Sequence, residues 1–182
     1  MIYHNEVIFS EQECKQILES AKDFKESILG ISYNGHEYDT RGNTKKRKST
    51  QAEMSATPDT FIYQKLNQII KTFDYELNVD TFYYDVIRYQ TDDFIWRHKD
   101  DNGTRFFSVV IQLSDSESYD GGDFKYWINN IEYTLNRNKG WGVIFKSDVY
   151  HEVKPVISGE RYSFISFVKF SDVKKIGNVA LI

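Results

Sequence analysis

One cysteine, two prolines and four histidines are all that the 182 residues contain of those three types. The single Cys14 excludes an intrachain disulfide and fits a reducing compartment, so a cytoplasmic protein is expected. Cys14 lies in a helical pattern without an evident base beside it, which reads as a packing thiol rather than a nucleophile. No apolar run approaches the roughly 20 residues of a membrane span. The N-terminus, Met1-Ile2-Tyr3-His4-Asn5-Glu6, lacks a basic stretch followed by an apolar core, so no secretory leader is expected. Positive charge is not in excess: a net charge of −4 offers no general attraction to nucleic acid or anionic membranes. Internal repeats, linkers and low-complexity segments are absent as well.

What is present is hydrophobic and aromatic. Hydrophobic residues make up 40% and aromatics 16%, enough for a buried core in one domain over residues 1–182. A support region is expected over residues 1–80 and a β core over about 81–170. Residues 2–9 alternate loosely and suggest a first strand ending on Phe9. Ser10-Glu11-Gln12-Glu13 has capping-box spacing, and a helix is expected from there to about Lys22. Short strands or a hairpin follow. Residues 41–48 hold the one dense charge run, with Arg41, Lys45, Lys46, Arg47 and Lys48. It reads either as a solvated hairpin tip or as a loop over an active site.

Thr57-Pro58 suggests a second helix, with Thr at N-cap and Pro at N1. Phe61, Ile62, Leu66, Ile69, Ile70 and Phe73 recur at helical spacing and should pack on a sheet. After Asn78 the pattern turns to strands: Phe82, Tyr84, Val86 and Arg88 oppose Tyr83, Asp85, Ile87 and Tyr89. Short strands punctuated by Asp101-Asn102-Gly103, Asp120-Gly121-Gly122, Asn136-Arg137-Asn138 and Ser158-Gly159 suggest a sandwich or jelly roll. The two helices would brace one of its sheets.

With so few histidines, the candidates for metal ligation are few. His98 and Asp100 would share one face of a strand, because successive side chains point to opposite faces. His151 is the obvious third ligand. Two imidazoles and one carboxylate, with coordination positions left open, form the facial triad of non-haem Fe(II) oxygenases. Arg161 and Ser163 again share a face, and a guanidinium offers a rigid fork for the carboxylate of a bound co-substrate.

The surroundings extend this set. Arg88-Tyr89 precedes it, and Tyr119-Asp120-Gly121-Gly122-Asp123-Phe124 lies in its middle. Gly140-Trp141-Gly142-Val143-Ile144-Phe145 leads into His151-Glu152-Val153-Lys154-Pro155-Val156. In this ordered set over residues 88–168 the chain resembles the 2-oxoglutarate/Fe(II)-dependent dioxygenases, in particular their prolyl-4-hydroxylase-like branch. The resemblance implies a mainly β fold, the double-stranded β-helix (a cupin-like jelly roll). It implies Fe(II) held by His98, Asp100 and His151. It implies 2-oxoglutarate held by Arg161 and Ser163, with Tyr89 reaching the same molecule. Ascorbate would be the reductant, O2 the oxidant, and succinate and CO2 the co-products.

Asp100 matters to the outcome, since related halogenases carry a small residue in its place. Phe167 stands where nucleic-acid demethylases of this type carry a second arginine, so no nucleic-acid partner is expected. The resemblance also has departures. Ile111 stands where oxygen-sensing prolyl hydroxylases carry a tyrosine for the co-substrate, and Gln112 would point the other way on a regular strand. Asp92 stands where glycine is frequent. Trp96, Phe106, Phe107, Trp127 and Trp141 read as core or pocket wall, one of them a candidate for the substrate site. His4 and His36 match no family position. The substrate implied is a peptide or protein residue, prolyl among the options, bound beside residues 41–49 and favoured by acidic flanks. A free amino acid or small metabolite, or a metal-binding jelly roll without turnover, are the alternatives.

Overall fold

The structure is a computed structural model that describes residues 5–27, 31–33, 36–38 and 47–176. His4, most of the basic run (residues 41–46) and the apolar tail (residues 179–182) therefore lie outside the described residues.

Two helices are described. Helix α1 (Glu11–Ser20) starts with the expected capping box: the Ser10 hydroxyl accepts from the Glu13 amide, and the Glu13 carboxylate accepts from the Ser10 amide at 2.7 Å. Helix α2 (Phe61–Lys71) begins later than Thr57-Pro58 suggests. Thr60 is the N-cap, and its hydroxyl also donates to the Thr57 carbonyl at 2.7 Å. Residues 57–60 thus form a turn before the helix rather than its first turn.

In chain order the strands are β1 (Glu6–Val7), β2 (Lys25–Glu26), β3 (Ile31–Tyr33), β4 (His36–Tyr38), β5 (Arg47–Lys48), β6 (Thr50–Ala56), β7 (Tyr75–Leu77), β8 (Phe82–Tyr89) and β9 (Phe94–His98). They continue as β10 (Arg105–Gln112), β11 (Tyr119–Gly121), β12 (Phe124–Ile128), β13 (Ile131–Thr134), β14 (Trp141–Lys146), β15 (Tyr150–Val153), β16 (Val156–Gly159), β17 (Arg161–Lys169) and β18 (Val173–Lys175). A seven-stranded sheet runs β1-β14-β10-β17-β8-β6-β2, and a five-stranded sheet runs β13-β12-β15-β9-β5. From β8 to β17 the chain passes back and forth between these sheets, with β11 and β16 paired separately, which is the double-stranded β-helix expected from the sequence.

The large sheet is buried on both faces, and the period of two along each strand sorts its residues. One face meets the helices: Tyr84 and Val86 of β8, Val109 and Ile111 of β10, and Phe164 of β17 pack with Leu66 and Ile70 of α2. Burying each of those two α2 side chains stabilises the fold by roughly 1.5–3 kcal/mol. Lys65 ties the helices together, its ammonium reaching Glu13 at 2.6 Å and the Ile8 carbonyl at 3.2 Å. The other face looks into the space between the sheets. There Ile87, Tyr89 and Val110 meet Ile95, Phe124 and Val153 of the small sheet. Among the described residues, no helix is long and apolar enough to cross a membrane.

Candidate functional site

His98 and His151 are direct partners across the β9–β15 ladder. The ladder slips one residue further on, because His151 and Val153 face His98 and Ile95. Three residues of β9 thus span two of β15, a β-bulge of the kind that re-aims side chains next to active sites. Ile95 and His98 would face opposite ways on a regular strand. The bulge turns both inward, onto the wall of one cavity.

Asp100 arrives by a different route from the one its spacing suggests. Strand β9 ends at His98, so alternation along a strand does not place Asp100. Two backbone bonds do: the amides of Asp100 and Asp101 both donate to the Ser147 carbonyl, at 3.0 and 2.9 Å. Ser108, from β10, then donates its hydroxyl to Asp100 Oδ2 at 2.7 Å. Ser108 is the one polar side chain inside the run Phe106-Phe107-Ser108-Val109-Val110-Ile111. That interruption was a signal available in the sequence, and the sequence reading passed over it.

The three groups converge. Asp100 Oδ1 lies 3.4 Å from His98 Nε2, and Asp100 Oδ2 lies 3.3 Å from His151 Nε2. The candidate ligand atoms of His98, Asp100 and His151 all lie within 4.8 Å of one another. Each imidazole is anchored at its other nitrogen. His98 Nδ1 meets the Trp96 carbonyl at 2.8 Å, and His151 Nδ1 meets the Val149 carbonyl at 3.0 Å. A carbonyl only accepts, so each Nδ1 carries the hydrogen and each Nε2 turns a lone pair to the centre. Burial pushes the His151 imidazolium down to about 4, which leaves a neutral ring at physiological pH. Burial also works against the Asp100 carboxylate. His151, His98 and the Ser108 hydroxyl outweigh it and hold the carboxyl well below the usual range. Neutral imidazoles and an ionised carboxylate are the protonation states that bind a divalent metal.

The cavity continues behind this centre, with a volume of about 210 Å³. Arg161 lies on its wall and is fully buried. In register, Arg161 faces Tyr89 on β8, and Ser163 faces Gln112 on β10. The Arg161 guanidinium carbon is 5.2 Å from the Tyr89 ring centre, and its Nη2 donates to Gln112 Oε1 at 2.9 Å. Arg161 Nε and Nη1, Gln112 Nε2 and Ser163 Oγ are buried without a hydrogen-bond partner. A buried guanidinium lacking a counter-ion is costly, and truly orphaned buried donors are rare. This end of the cavity is therefore built for an anion, and its donor set suits a carboxylate. The backbone must also stay close here. A Cβ on Gly122, whose φ is +64°, would sit 3.0 Å from Arg161 Cδ.

Several expectations need correction. Gln112, not Ile111, turns into the site, while Ile111 packs in the core beside the helices. Among the described residues, none of Trp96, Phe106, Phe107, Trp127 and Trp141 lines the cavity, whose aromatic wall is Tyr89, Phe124 and Phe167. Trp96 is exposed beside Phe94, and the Trp127 ring carries the Arg97 guanidinium at 4.2 Å. Asp92 adopts the left-handed conformation that glycine favours, with φ +67°, and Asp tolerates it better than most residues. Of the basic run, Arg47 lines the cavity mouth, whereas Lys48 pairs with Asp93 at 3.0 Å.

Comparison with known proteins follows the same lines. Residues 84–169 match the family model described as the 2OG-Fe(II) oxygenase superfamily. A PKHD-type hydroxylase of Sphingopyxis alaskensis is 36% identical over 62 residues, which are 34% of this chain and 28% of that protein. The chain thus matches little more than a quarter of that relative's length. Among solved structures, a Trichoplax adhaerens prolyl hydroxylase in complex with a hypoxia inducible factor peptide fragment has a TM-score of 0.65 at 17% identity, covering 94% of this chain and 84% of that one. A Pseudomonas putida prolyl-4-hydroxylase has a TM-score of 0.60 at 18% identity, covering 90% of each chain. At such identities these structures attest the fold.

Proposed function

We propose, from the match of residues 84–169 to the 2OG-Fe(II) oxygenase superfamily model, a 2-oxoglutarate-dependent hydroxylase acting on a peptide or protein residue, prolyl residues first among them. One observation carries the reading: the fully buried Arg161, with unpartnered donors, shares a cavity with two histidines and an aspartate. His98, Asp100 and His151 would hold Fe(II). Arg161 would take the far carboxylate of 2-oxoglutarate, Ser163 and the Gln112 amide would add donors, and Tyr89 would wall the same end. Metal and co-substrate together would supply oxygen activation, with succinate and CO2 as co-products and ascorbate as the external reductant.

The remaining steps fall to the chain. The carbonyls of Trp96 and Val149 fix the ring tautomers, and Ser108 and Ser147 fix Asp100. Ile87, Ile95, Val110 and Val153 give the same cavity an aliphatic wall. An ionised Asp100, rather than a small residue, favours oxygen insertion over halogenation. A peptide would cross the mouth beside Arg47. The solved neighbour in complex with a peptide fragment supports a peptide substrate on this fold. The free thiol of the buried Cys14, which burial raises to about 11, suits a cytosolic setting.

The test supplies the purified protein with Fe(II), 2-oxoglutarate and ascorbate, then a peptide pool and a panel of free amino acids. Succinate release and the mass of one added oxygen on peptides are expected. Neither succinate release nor 2-oxoglutarate binding would leave a metal-binding jelly roll without turnover. Oxygen added only to free amino acids would replace the peptide by a metabolite.

A further inference from the structure

Past the cluster of His98, Asp100 and His151, the large sheet splits. Strands β10 and β17 stay paired out to Arg105↔Lys169, and β6 and β8 out to Ala56↔Phe82. Between these two leaves, the β17–β8 ladder ends at Ile165↔Asp85. Just beyond it, the Ser166 hydroxyl donates to the Tyr83 carbonyl at 2.6 Å, a side-chain bond joining the two leaves. A register shift between Arg105 and Phe107 marks a bulge on the β10 leaf, and bulges add local twist. The Arg105 guanidinium lies 3.7 Å over the Phe167 ring, which stiffens that leaf.

The split holds a second cavity of about 300 Å³. Glu53, Met54 and Tyr83 wall it on one leaf, and Phe167 and Lys169 on the other. Asp85, Arg105 and Phe167 line both this cavity and the one that holds His98, Asp100 and His151, so the two cavities adjoin. Its β6–β8 wall is acidic. Glu53 and Asp85 are direct cross-strand partners, an arrangement that costs stability when both are charged. Gln51 donates to Asp85 at 3.3 Å, and among the described residues neither carboxylate forms an ion pair. Burial, then Glu53, raises the Asp85 carboxyl to about 6, against the pull of Arg47 and Arg105. Tyr83 is 73% exposed at the outer end, a large aromatic surface with no cover.

Resting on the peptide reading above, we infer that this split is the subsite for substrate residues flanking the hydroxylated one, and that Glu53 and Asp85 select a lysine or arginine there. An open cavity adjoining the one that holds the triad suits the next residues of an extended chain, whereas a free amino acid would end at the mouth. Side chains of an extended segment alternate, so one neighbour meets the acidic wall while the next faces away. A bound cation would also relieve the repulsion between the two carboxylates.

The probe is a bacterial lysate cleaved after acidic residues, so that lysines and arginines stay inside the peptides. Peptides gaining one oxygen are sequenced by mass spectrometry, with the wild type and with Glu53→Lys/Asp85→Asn. The wild type should show lysine or arginine enriched at one fixed position near the modified residue. The double variant should lose that enrichment by about threefold or more, the size of a partly exposed ion pair. Tyr83→Ala should raise KM for the best peptide without changing which residue is modified. Thermal melting checks that each variant is folded. Modified peptides without basic enrichment, or an enrichment that survives in the double variant, would overturn the subsite while the hydroxylase reading stands. Oxygen added to free amino acids alone, or no turnover at all, would instead overturn the reading on which it rests.

Discussion

Replacing Gln112 by glutamate should move two measurements in opposite directions. The new carboxylate would sit where amide Oε1 now accepts from Arg161 Nη2 at 2.9 Å. It would become the counter-ion that the fully buried guanidinium lacks among the described residues. The desolvation of a second charge offsets part of that gain, leaving a net stabilisation of about 1–2 kcal/mol in the absence of co-substrate. For a chain of this length that raises Tm by roughly 2–8 °C. The same carboxylate competes with 2-oxoglutarate for Arg161. Charge-assisted hydrogen bonds are worth roughly 1.5–3 kcal/mol, so affinity should fall by at least about tenfold. Anaerobic calorimetric titration with Fe(II) present reads the affinity, and scanning calorimetry without 2-oxoglutarate reads Tm. Ile111→Val, on the opposite face of β10, should leave the affinity where it is. A Gln112→Glu protein that binds 2-oxoglutarate as tightly as wild type would refute the placement of the anion site.

Three further outcomes are expected. His98→Ala or Asp100→Ala should abolish succinate release while circular dichroism stays native, and near-normal turnover in either would unseat the ligand assignment. Arg161→Ala should weaken 2-oxoglutarate binding by roughly tenfold to a hundredfold, and Arg161→Lys by less, in the same titration. Ser108→Ala removes the 2.7 Å bond to Asp100 Oδ2. It should weaken Fe(II) affinity by about tenfold, read by competition with a chelator, and an unchanged affinity would show that the Ser147 carbonyl alone holds Asp100.

What the sequence made legible depended on how much each strand alternates. Strand β8 alternates, and the two groups its alternation separates do lie on opposite faces, Phe82, Tyr84 and Val86 toward the helices and Ile87 and Tyr89 toward the cavity. Strand β10 does not: Phe106 to Gln112 are all buried, because the sheet is covered on both faces. Within that run only Ser108 and Gln112 mark the cavity side, and with Ser108 passed over Ile111 and Gln112 came to be exchanged. His98 could be read as a ligand from its company, but not from its strand, since the β9 bulge breaks the period. Asp100 lay two residues on, where alternation happened to suggest the right face for a reason that does not operate. Its position depends on the carbonyl of Ser147, which is remote in sequence. The split between β8 and β17 depends on pairing between strands and has no local signature at all.

The depth of Arg161 sets an order of events. Its guanidinium is fully buried, whereas Asp85, Arg105 and Phe167 mark the way out to the second cavity. A dicarboxylate gripped by Arg161 lies behind anything seated at the mouth. On the proposed function the acid would come in before the peptide, and its shortened product would wait until the peptide had gone. Steady-state kinetics should therefore be ordered, with succinate the last to leave.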